Sequence, residues 1–126
     1  MQRKPIRRFE DLLVWQKGIA LVKEVYIATS DGALRRDLGL RDQIRRAAVS
    51  NPTNIAEGFE RSSRKEYLLF LNIAKGLAGE LRSLIRVAFE VGYFDKHSAI
   101  GYANKRELSV ATFSIKLLQF EAHQLD

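Results

Sequence analysis

The chain has 126 residues, of which 46% are hydrophobic and 29% charged, with a net charge of +6. This length and composition are typical of one folded domain with a hydrophobic core, and they leave too little chain for two. The lack of cysteine excludes a disulfide framework and thiolate chemistry. The sequence has no apolar stretch typical of a secretory signal and no apolar run near the ~18 residues of a membrane span, which predicts a soluble, cytoplasmic protein.

Residues 1–8 read as a basic arm, and residues 9–126 are predicted to form a single helical domain. The first helix is expected to begin near Phe9, where acidic residues suit the positive end of the helix dipole, and to end near Thr29. Apolar residues recur in it at alternating spacings of three and four: Leu12, Trp15, Ile19, Val22 and Tyr26. This pattern predicts a seam that faces the core, and Gly18 beside it indicates close approach of another helix.

A proline inside the second helical segment is the least ordinary feature of the sequence. The segment begins between Leu34 and Leu40 and runs to about Phe59, with Pro52 in its interior. Such a proline removes one donor and clashes with the carbonyl four residues before it, at a cost of about 3 kcal/mol. Either one helix is kinked near Asn51, or one helix ends there and another begins with Asn51 as N-cap. Apolar spacing resumes in register after the proline, which favours the kink.

Small side chains near this proline are expected to bond the carbonyls that it frees: Ser50, Thr53 and Asn54. Gly58 lies near the end of the same segment and is expected to help terminate the helix.

The third helix has the clearest pattern. It is predicted to run from Arg64 to about Val91, with Ser63 or Ser62 as N-cap; Ser63 and Glu66 have the spacing of a capping box. Its first apolar row consists of Tyr67, Leu71, Ala74, Ala78, Leu81, Ile85 and Ala88. A second row beside it consists of Phe70, Ile73, Leu77, Leu84, Val87 and Val91. Two apolar rows are more than a peripheral helix needs. This helix is therefore either central in a monomer or packs its second row against another subunit. Small residues at Gly76, Ala78 and Gly79 permit close approach of a neighbouring helix in both cases.

The fourth helix is predicted to begin at Asp95 or Ser98 and to run to about Gln124, after Gly92 ends the third. Its second apolar row includes Phe113 and Leu117. No segment of useful length has strand periodicity. Four long helices with short connectors predict an all-α fold, an antiparallel up-down-up-down four-helix bundle with its second helix kinked at a proline.

Residues suited to catalysis are not apparent. His97 and His123 belong to no metal-binding motif, and Glu121, two residues before His123, faces another side of the helix. A di-iron bundle needs inward-facing Glu-x-x-His pairs, and the chain has none. We therefore predict that the protein is not an enzyme and binds no cofactor or metal, with Glu57 and Glu80 in structural ion pairs.

Positive charge is concentrated in residues 35–86, which carry eleven basic and six acidic side chains. Arginine prevails among them, and its guanidinium can donate two parallel hydrogen bonds to a phosphate. The candidate nucleic-acid-binding residues bracket both ends of the second helix: Arg35, Arg36, Arg41, Arg45, Arg46, Arg61, Arg64 and Lys65. Three phosphate contacts would give affinity without sequence preference. The alternative is a solvated face of ion pairs with Asp42 and Glu57; exposed aromatics for base stacking are not evident, because the tyrosines mostly fall on or near apolar seams.

Four motifs together resemble those of a known family. They are Phe9–Leu12 with Val14–Lys17, then Gln43–Ser50 with Pro52 and Asn54–Gly58, then Lys65–Tyr67 continuing through Phe70–Leu71 and Ile73–Gly76 to Glu80–Leu81, and finally Glu90–Tyr93. The chain resembles the bacterial four-helix bundle proteins encoded in intervening sequences of 23S ribosomal RNA genes; the accessory variability determinant of diversity-generating retroelements looks related. Asn51 departs from the pattern, which has an apolar residue before the proline.

The resemblance implies an up-down four-helix bundle that assembles as a homopentameric barrel, and it implies no established enzymatic activity. It also implies RNA or DNA binding through a basic surface; in the retroelement branch, the partner is a reverse transcriptase. The leading hypothesis is therefore a non-catalytic homo-oligomer that binds structured RNA or other nucleic acid. The alternative is a protein-interaction scaffold, such as an accessory subunit of a polymerase or reverse transcriptase. The oligomer interface is expected to include Phe70, Ile73, Leu77, Leu84, Phe113 and Leu117. The protein is not expected to bind a membrane.

Overall fold

The computed structural model describes residues 5–93, and within them the fold is entirely helical, with four α-helices and no strand. After a 3₁₀ turn at Phe9–Asp11, the helices are α1 (Leu13–Ala28), α2 (Gly32–Arg36), α3 (Leu38–Glu60) and α4 (Arg64–Glu90). The predicted fourth long helix, with Phe113 and Leu117, lies outside the described residues. So do residues 1–4 of the basic arm; residues 5–8 are exposed, and the Arg7 and Arg8 amides donate to the Asp11 carboxylate.

Local residues explain where each helix begins and ends. Leu12 is extended, with ψ of 126°, so it separates the 3₁₀ turn from α1 and divides the single first helix that the sequence predicts. Asp37 accepts a hydrogen bond from the Leu40 amide at 3.1 Å and begins α3 as its N-cap. Ser63 does the same for α4 through the Glu66 amide, as its capping-box spacing predicts.

The end of α4 is tied to the start of α3. Gly92 has φ of +85°, and the Gly92 and Tyr93 amides donate to the Phe89 and Ala88 carbonyls, which is the pattern of a Schellman motif. That turn directs Tyr93 back across the fold, and its hydroxyl donates to the Asp37 carboxylate at 2.8 Å. One carboxylate therefore caps α3 and holds the C-terminal end of α4.

We expect this tie to make stability depend on pH. Hydrogen bonds from the Leu40 amide and the Tyr93 hydroxyl hold the pKa of Asp37 below its ordinary value. The stabilisation is therefore complete above the unfolded-state pKa of about 3.9 and is lost as pH falls through the lower folded-state pKa. In urea titrations from pH 7 to pH 2.5, Tyr93→Phe should be less stable than wild type at neutral pH, and the difference should shrink below about pH 4. A difference that stays constant down to pH 2.5 would contradict this assignment.

The buried side chains form two apolar clusters along the helices. One cluster consists of Leu21, Val25, Leu34, Ile44, Ala47, Ala48, Leu81, Ile85 and Ala88. The other consists of Leu12, Val14, Ile55, Leu71 and Ala74. On α1 and α3, Gly18 and Asn51 fall between the two clusters, so a small residue and a polar residue separate them.

Helix α3 is the central element of the described fold, because it packs against both α1 and α4. Its contacts with α4 run in opposite chain order: Asp37 meets Tyr93, Asn51 meets Ala74, and Gly58 lies against Phe70. The predicted first row of the third helix is confirmed, since six of its seven residues, from Leu71 to Ala88, are buried; Tyr67 is half-buried.

The seam predicted for the first helix is wrong in register. The buried residues of α1 are Val14, Gly18, Leu21, Val25 and Ala28. Of the predicted seam, Leu12 is buried, Trp15, Ile19 and Val22 are half-buried, and Tyr26 is 42% exposed. Helix α1 is apolar on several sides, so spacing alone fits two neighbouring rows, and packing against α3 selects the other one.

Helix α3 continues through Pro52, so the alternative of two helices with Asn51 as N-cap is wrong; the kink stays a prediction. The Thr53 hydroxyl donates to the Val49 carbonyl and the Asn54 amide to the Ser50 carbonyl, both at 2.8 Å. The carbonyl that the proline leaves without its helical donor is that of Ala48. The expectation that these side chains bond the freed carbonyl is therefore wrong, since they bond the carbonyls of the next two residues. Asn51 is buried, and its side-chain amide donates to the Ala74 carbonyl of α4 at 2.7 Å.

Close helix approach occurs at two glycines. A Cβ on Gly18 would lie 3.0 Å from Asn51 Oδ1 and 3.2 Å from Pro52 Cβ, as expected for a site of close approach. A Cβ on Gly58 would lie only 2.5 Å from Phe70 Cβ. Gly58 is inside α3, which ends at Glu60, so its expected role in terminating the helix is wrong and its role is packing. Gly76 and Gly79 have no such neighbour within the described part of the chain.

None of the helices in residues 5–93 combines the length and apolar character that crossing a membrane requires.

Candidate nucleic-acid interface

The eight predicted basic residues fall into two groups at opposite ends of α3. The first group, the α3 arginine face, consists of Arg35, Arg36, Arg41, Arg45 and Arg46. The second group consists of Arg61, Arg64 and Lys65, where α3 gives way to α4. Arg61 follows Arg45 by sixteen residues, which corresponds to about 24 Å along a helix axis. The fold therefore does not bring the eight residues into one site.

The second group is largely engaged in local contacts. The Arg61 guanidinium pairs with Glu57 at 3.0 Å and lies over the Phe70 ring, 5.2 Å from its centroid. Arg64 also has an interaction within the fold. Glu57, which the sequence suggests as an ion-pair partner of the basic residues, thus pairs with Arg61. Exposed pairs of this kind contribute little stability, but they reduce the positive charge available to a ligand.

Arg45 is held in place on the α3 arginine face. Its Nε donates to the Thr29 hydroxyl at 2.8 Å, and Nη2 reaches the Ser30 hydroxyl at 3.5 Å. Thr29 is itself buried and donates to the Val25 carbonyl. The guanidinium lies over the Tyr26 ring, 4.4 Å from the centroid, which is a favourable cation–π distance. The residue is fixed by α1 and still has N–H donors left for a ligand.

The neighbouring arginines differ in how much they are neutralised. Arg41 pairs with Asp42 at 3.1 Å and also donates to the Arg35 carbonyl. Arg46 is exposed, and its side chain makes no hydrogen bond or ion pair with any other residue from 5 to 93. Arg35 and Arg36 are exposed at the end of α2. Asp42, a predicted ion-pair partner of the basic residues, is thus confirmed in that role for Arg41.

An open cleft lies between α1 and α3 beside these arginines. We call it the Tyr26 cleft; its lining consists of Tyr26, Asp42, Arg45, Arg46, Val49 and Ser50. The cleft is shallow and open to solvent, with a volume of about 390 Å³. The prediction that exposed aromatics are not evident is therefore wrong for Tyr26, which is 42% exposed and adjoins two arginines.

Sequence reasoning missed this tyrosine because it falls on the wrongly registered seam of α1. Its position four residues before Ser30, at the end of the helix and near a turn, was the available indication that it could reach the surface.

The predicted oligomer interface is only partly exposed. Ile73 is 42% exposed, whereas Phe70, Leu77 and Leu84 are half-buried. Leu84 packs against the larger apolar cluster, so part of the second row belongs to the core of the chain itself. Other large apolar side chains are exposed along α4: Leu69, Val87 and Val91.

No group of three or more metal-ligating side chains occurs between residues 5 and 93. Glu57, one of the two glutamates considered for structural ion pairs, is confirmed in that role by Arg61. Glu80 is exposed on α4.

Comparison with known proteins gives one family. Residues 10–110 match the family model described as 23S rRNA-intervening sequence protein. No protein of curated function matches the chain. The matched range includes α1 to α4 and nearly all of the motifs that carried the resemblance. The chain therefore belongs to the family of 23S rRNA-intervening sequence proteins.

Proposed function

We propose that the protein is a non-catalytic helical scaffold that binds structured RNA, or other nucleic acid, through the α3 arginine face. The observation that carries the proposal is the concentration of five arginines in residues 35–46 against two aspartates, Asp37 and Asp42. Asp37 is engaged as a helix cap and Asp42 neutralises one arginine. Net positive charge therefore remains beside an open cleft, which favours a polyanionic ligand.

The arrangement of individual side chains supports phosphate contact. Arg46 is exposed and has no partner in the described residues, so binding a phosphate would not require breaking an existing ion pair. Arg45 is fixed by α1 through Thr29, so less side-chain entropy is lost when a ligand binds. The hydrogen bonds and cation–π contact of Arg45 leave part of the guanidinium fork available for a bidentate bond to phosphate.

We further propose that the whole domain, residues 9–126, is an up-down-up-down four-helix bundle kinked at Pro52, with residues 1–8 as an arm. Opposite chain order in the α3–α4 contacts supports the antiparallel part of this arrangement. Self-assembly, as the pentamer implied by the family resemblance, is supported by the exposed apolar side chains of α4, such as Ile73 and Val87. Light scattering on the purified protein tests it: a monomer at micromolar concentration would contradict it.

The same exposed side chains favour a second candidate function. Leu69, Ile73 and Val91 are between 42% and 57% exposed, and exposed apolar surface of this kind is typical of protein interfaces. A protein-interaction scaffold for a nucleic-acid enzyme would use this surface rather than the arginines. A pull-down after nuclease treatment tests this alternative. It would be supported if a variant with a charge-reversed α3 arginine face still recovers a specific protein partner.

The first test of nucleic-acid binding is a salt series. Nuclease-treated protein is titrated onto a labelled RNA hairpin and a matched DNA duplex at 50 to 300 mM salt. Three phosphate contacts predict a line of log affinity against log salt with a slope of about −2 to −3. A tighter complex with RNA would indicate recognition of shape or of 2′-hydroxyls. Failure to bind either probe at the lowest salt would contradict the proposal.

A further inference from the structure

We propose that the Tyr26 cleft binds one unpaired nucleotide of a structured RNA, with the base against the Tyr26–Arg45 pair and the phosphate on Arg46. This inference rests on the proposed function and adds the class of RNA element that is recognised. It depends on the Tyr26–Arg45 pair, on the open cleft beside it and on Arg46, whose side chain has no partner in residues 5–93. These features are independent of the total charge.

The Tyr26–Arg45 pair provides flat surfaces for stacking. The ring is 42% exposed and the guanidinium lies 4.4 Å from its centroid. Bases in single-stranded loops and bulges stack on aromatic rings and on guanidinium planes alike. The Thr29 hydroxyl holds the Arg45 guanidinium, which lies over the Tyr26 ring, so the pair exists before the ligand arrives.

The lining of the cleft favours an unpaired base over a duplex. A binding site for duplex phosphates needs only a basic surface, whereas this open, shallow cleft is also lined by the exposed Tyr26 ring and the exposed apolar side chain of Val49. A base inside a duplex is stacked on its neighbours and cannot enter such a cleft without being extruded. A bulged or looped base is already unstacked and avoids that cost.

The polar groups of the cleft favour one orientation of the nucleotide. Asp42 lies one helical turn before Arg46 on α3 and is paired with Arg41, so it does not neutralise Arg46. Arg46 attracts the phosphate, and the Ser50 hydroxyl of the same lining offers a further donor or acceptor. The base is then left next to Tyr26.

Two RNA hairpins of equal length and charge test the inference. Both stems are closed by the same non-nucleotide linker, so neither has a loop of unpaired bases; one stem is fully paired, and the other has a bulge of two unpaired nucleotides. Wild type should bind the bulged hairpin about tenfold more tightly, since stacking contributes on this scale per base. Tyr26→Leu should abolish that preference, Tyr26→Phe should retain it, and all three proteins should bind the paired hairpin equally. Because Tyr26→Leu removes no phosphate contact, its salt slope should match wild type.

A second variant separates stacking from charge. Arg45→Lys keeps the cation but removes the planar guanidinium, so it too should lose most of the preference for the bulge. Mononucleotides are a further probe. If they bind saturably and compete with the bulged RNA, the ligand of the cleft is a free nucleotide instead of an unpaired nucleotide in a structured RNA. Equal affinity of wild type for both hairpins, or an unchanged preference in Tyr26→Leu, would overturn the inference and leave the proposed function standing. Failure of wild type to bind either hairpin would overturn both.

Discussion

Gly58→Ala is expected to destabilise the protein by about 1–3 kcal/mol, the range typical of overpacking in a well-packed interior. The added methyl group would lie 2.5 Å from Phe70 Cβ, 3.2 Å from Tyr67 Cδ1 and 3.3 Å from Phe70 Cγ. Phe70 Cβ is attached directly to the α4 backbone, so rotation of the side chain cannot relieve the closest contact. The helices α3 and α4 would have to separate at this point, weakening the packing of the smaller apolar cluster.

Gly76→Ala is the matched control for this substitution. Gly76 lies within α4 and has an ordinary helical φ, and a Cβ added to it would meet no atom of the described residues within 4 Å. Alanine there should stabilise the helix by about 0.5–1 kcal/mol, because it restricts the unfolded chain and favours helix. Urea midpoints at one fixed protein concentration measure both changes. Equal stability of the two variants would contradict the close approach at Gly58.

Asn51→Asp is expected to destabilise the protein more than Gly58→Ala, although it barely changes the size of the side chain. Asn51 is 2% exposed, and its amide donates to the Ala74 carbonyl at 2.7 Å while its Oδ1 faces Gly18. A carboxylate has no donor for that carbonyl and would be buried between two apolar clusters. An uncompensated buried charge of this kind costs about 3–5 kcal/mol. Asn51→Ala removes the bond to the buried Ala74 carbonyl without adding charge and should cost less, about 1–3 kcal/mol.

The pH dependence distinguishes this explanation from a simple loss of packing. Burial and the facing carbonyl raise the folded-state pKa of an aspartate at this position, so its penalty is present at neutral pH and diminishes as pH falls and the group is protonated. Unfolding of Asn51→Asp, Asn51→Ala and wild type is compared at pH 7 and pH 5, each variant against wild type at the same pH. At pH 5, the difference in the free energy of unfolding between Asn51→Asp and Asn51→Ala should be smaller than at pH 7. An unchanged difference would contradict the role assigned to Asn51.

The sequence was sufficient to identify the buried side of α4. Its two apolar rows lie side by side, and the first of them, from Leu71 to Ala88, is the buried one. In α1, apolar residues lie on several sides, and the choice between the rows of Val14 and Trp15 depends on how the helix packs against α3. That choice also determines that Tyr26 is exposed, so the Tyr26 cleft could not be predicted from spacing.

Contacts between distant residues were also beyond the sequence. Asp37 and Tyr93 are 56 residues apart, and nothing local to either indicates that a helix cap and a C-terminal turn share one carboxylate. The division of the eight basic residues into two groups follows from the length of α3, which remains a single helix through Pro52. Charge alone predicted a basic protein, but only the fold distinguishes Arg46, which has no partner in the described residues, from Arg61, which pairs with Glu57.

The most direct test of the central claim compares Arg46→Glu with Lys65→Glu in the RNA salt series. Both variants change the net charge equally, and Lys65 is an exposed residue of the second basic group, beyond the far end of α3. Recognition by the α3 arginine face predicts that Arg46→Glu weakens binding at every salt concentration and flattens the salt slope by about 1, whereas Lys65→Glu leaves the slope unchanged. Equal weakening by the two variants would contradict the account, because binding would then follow total charge and not this face of the protein.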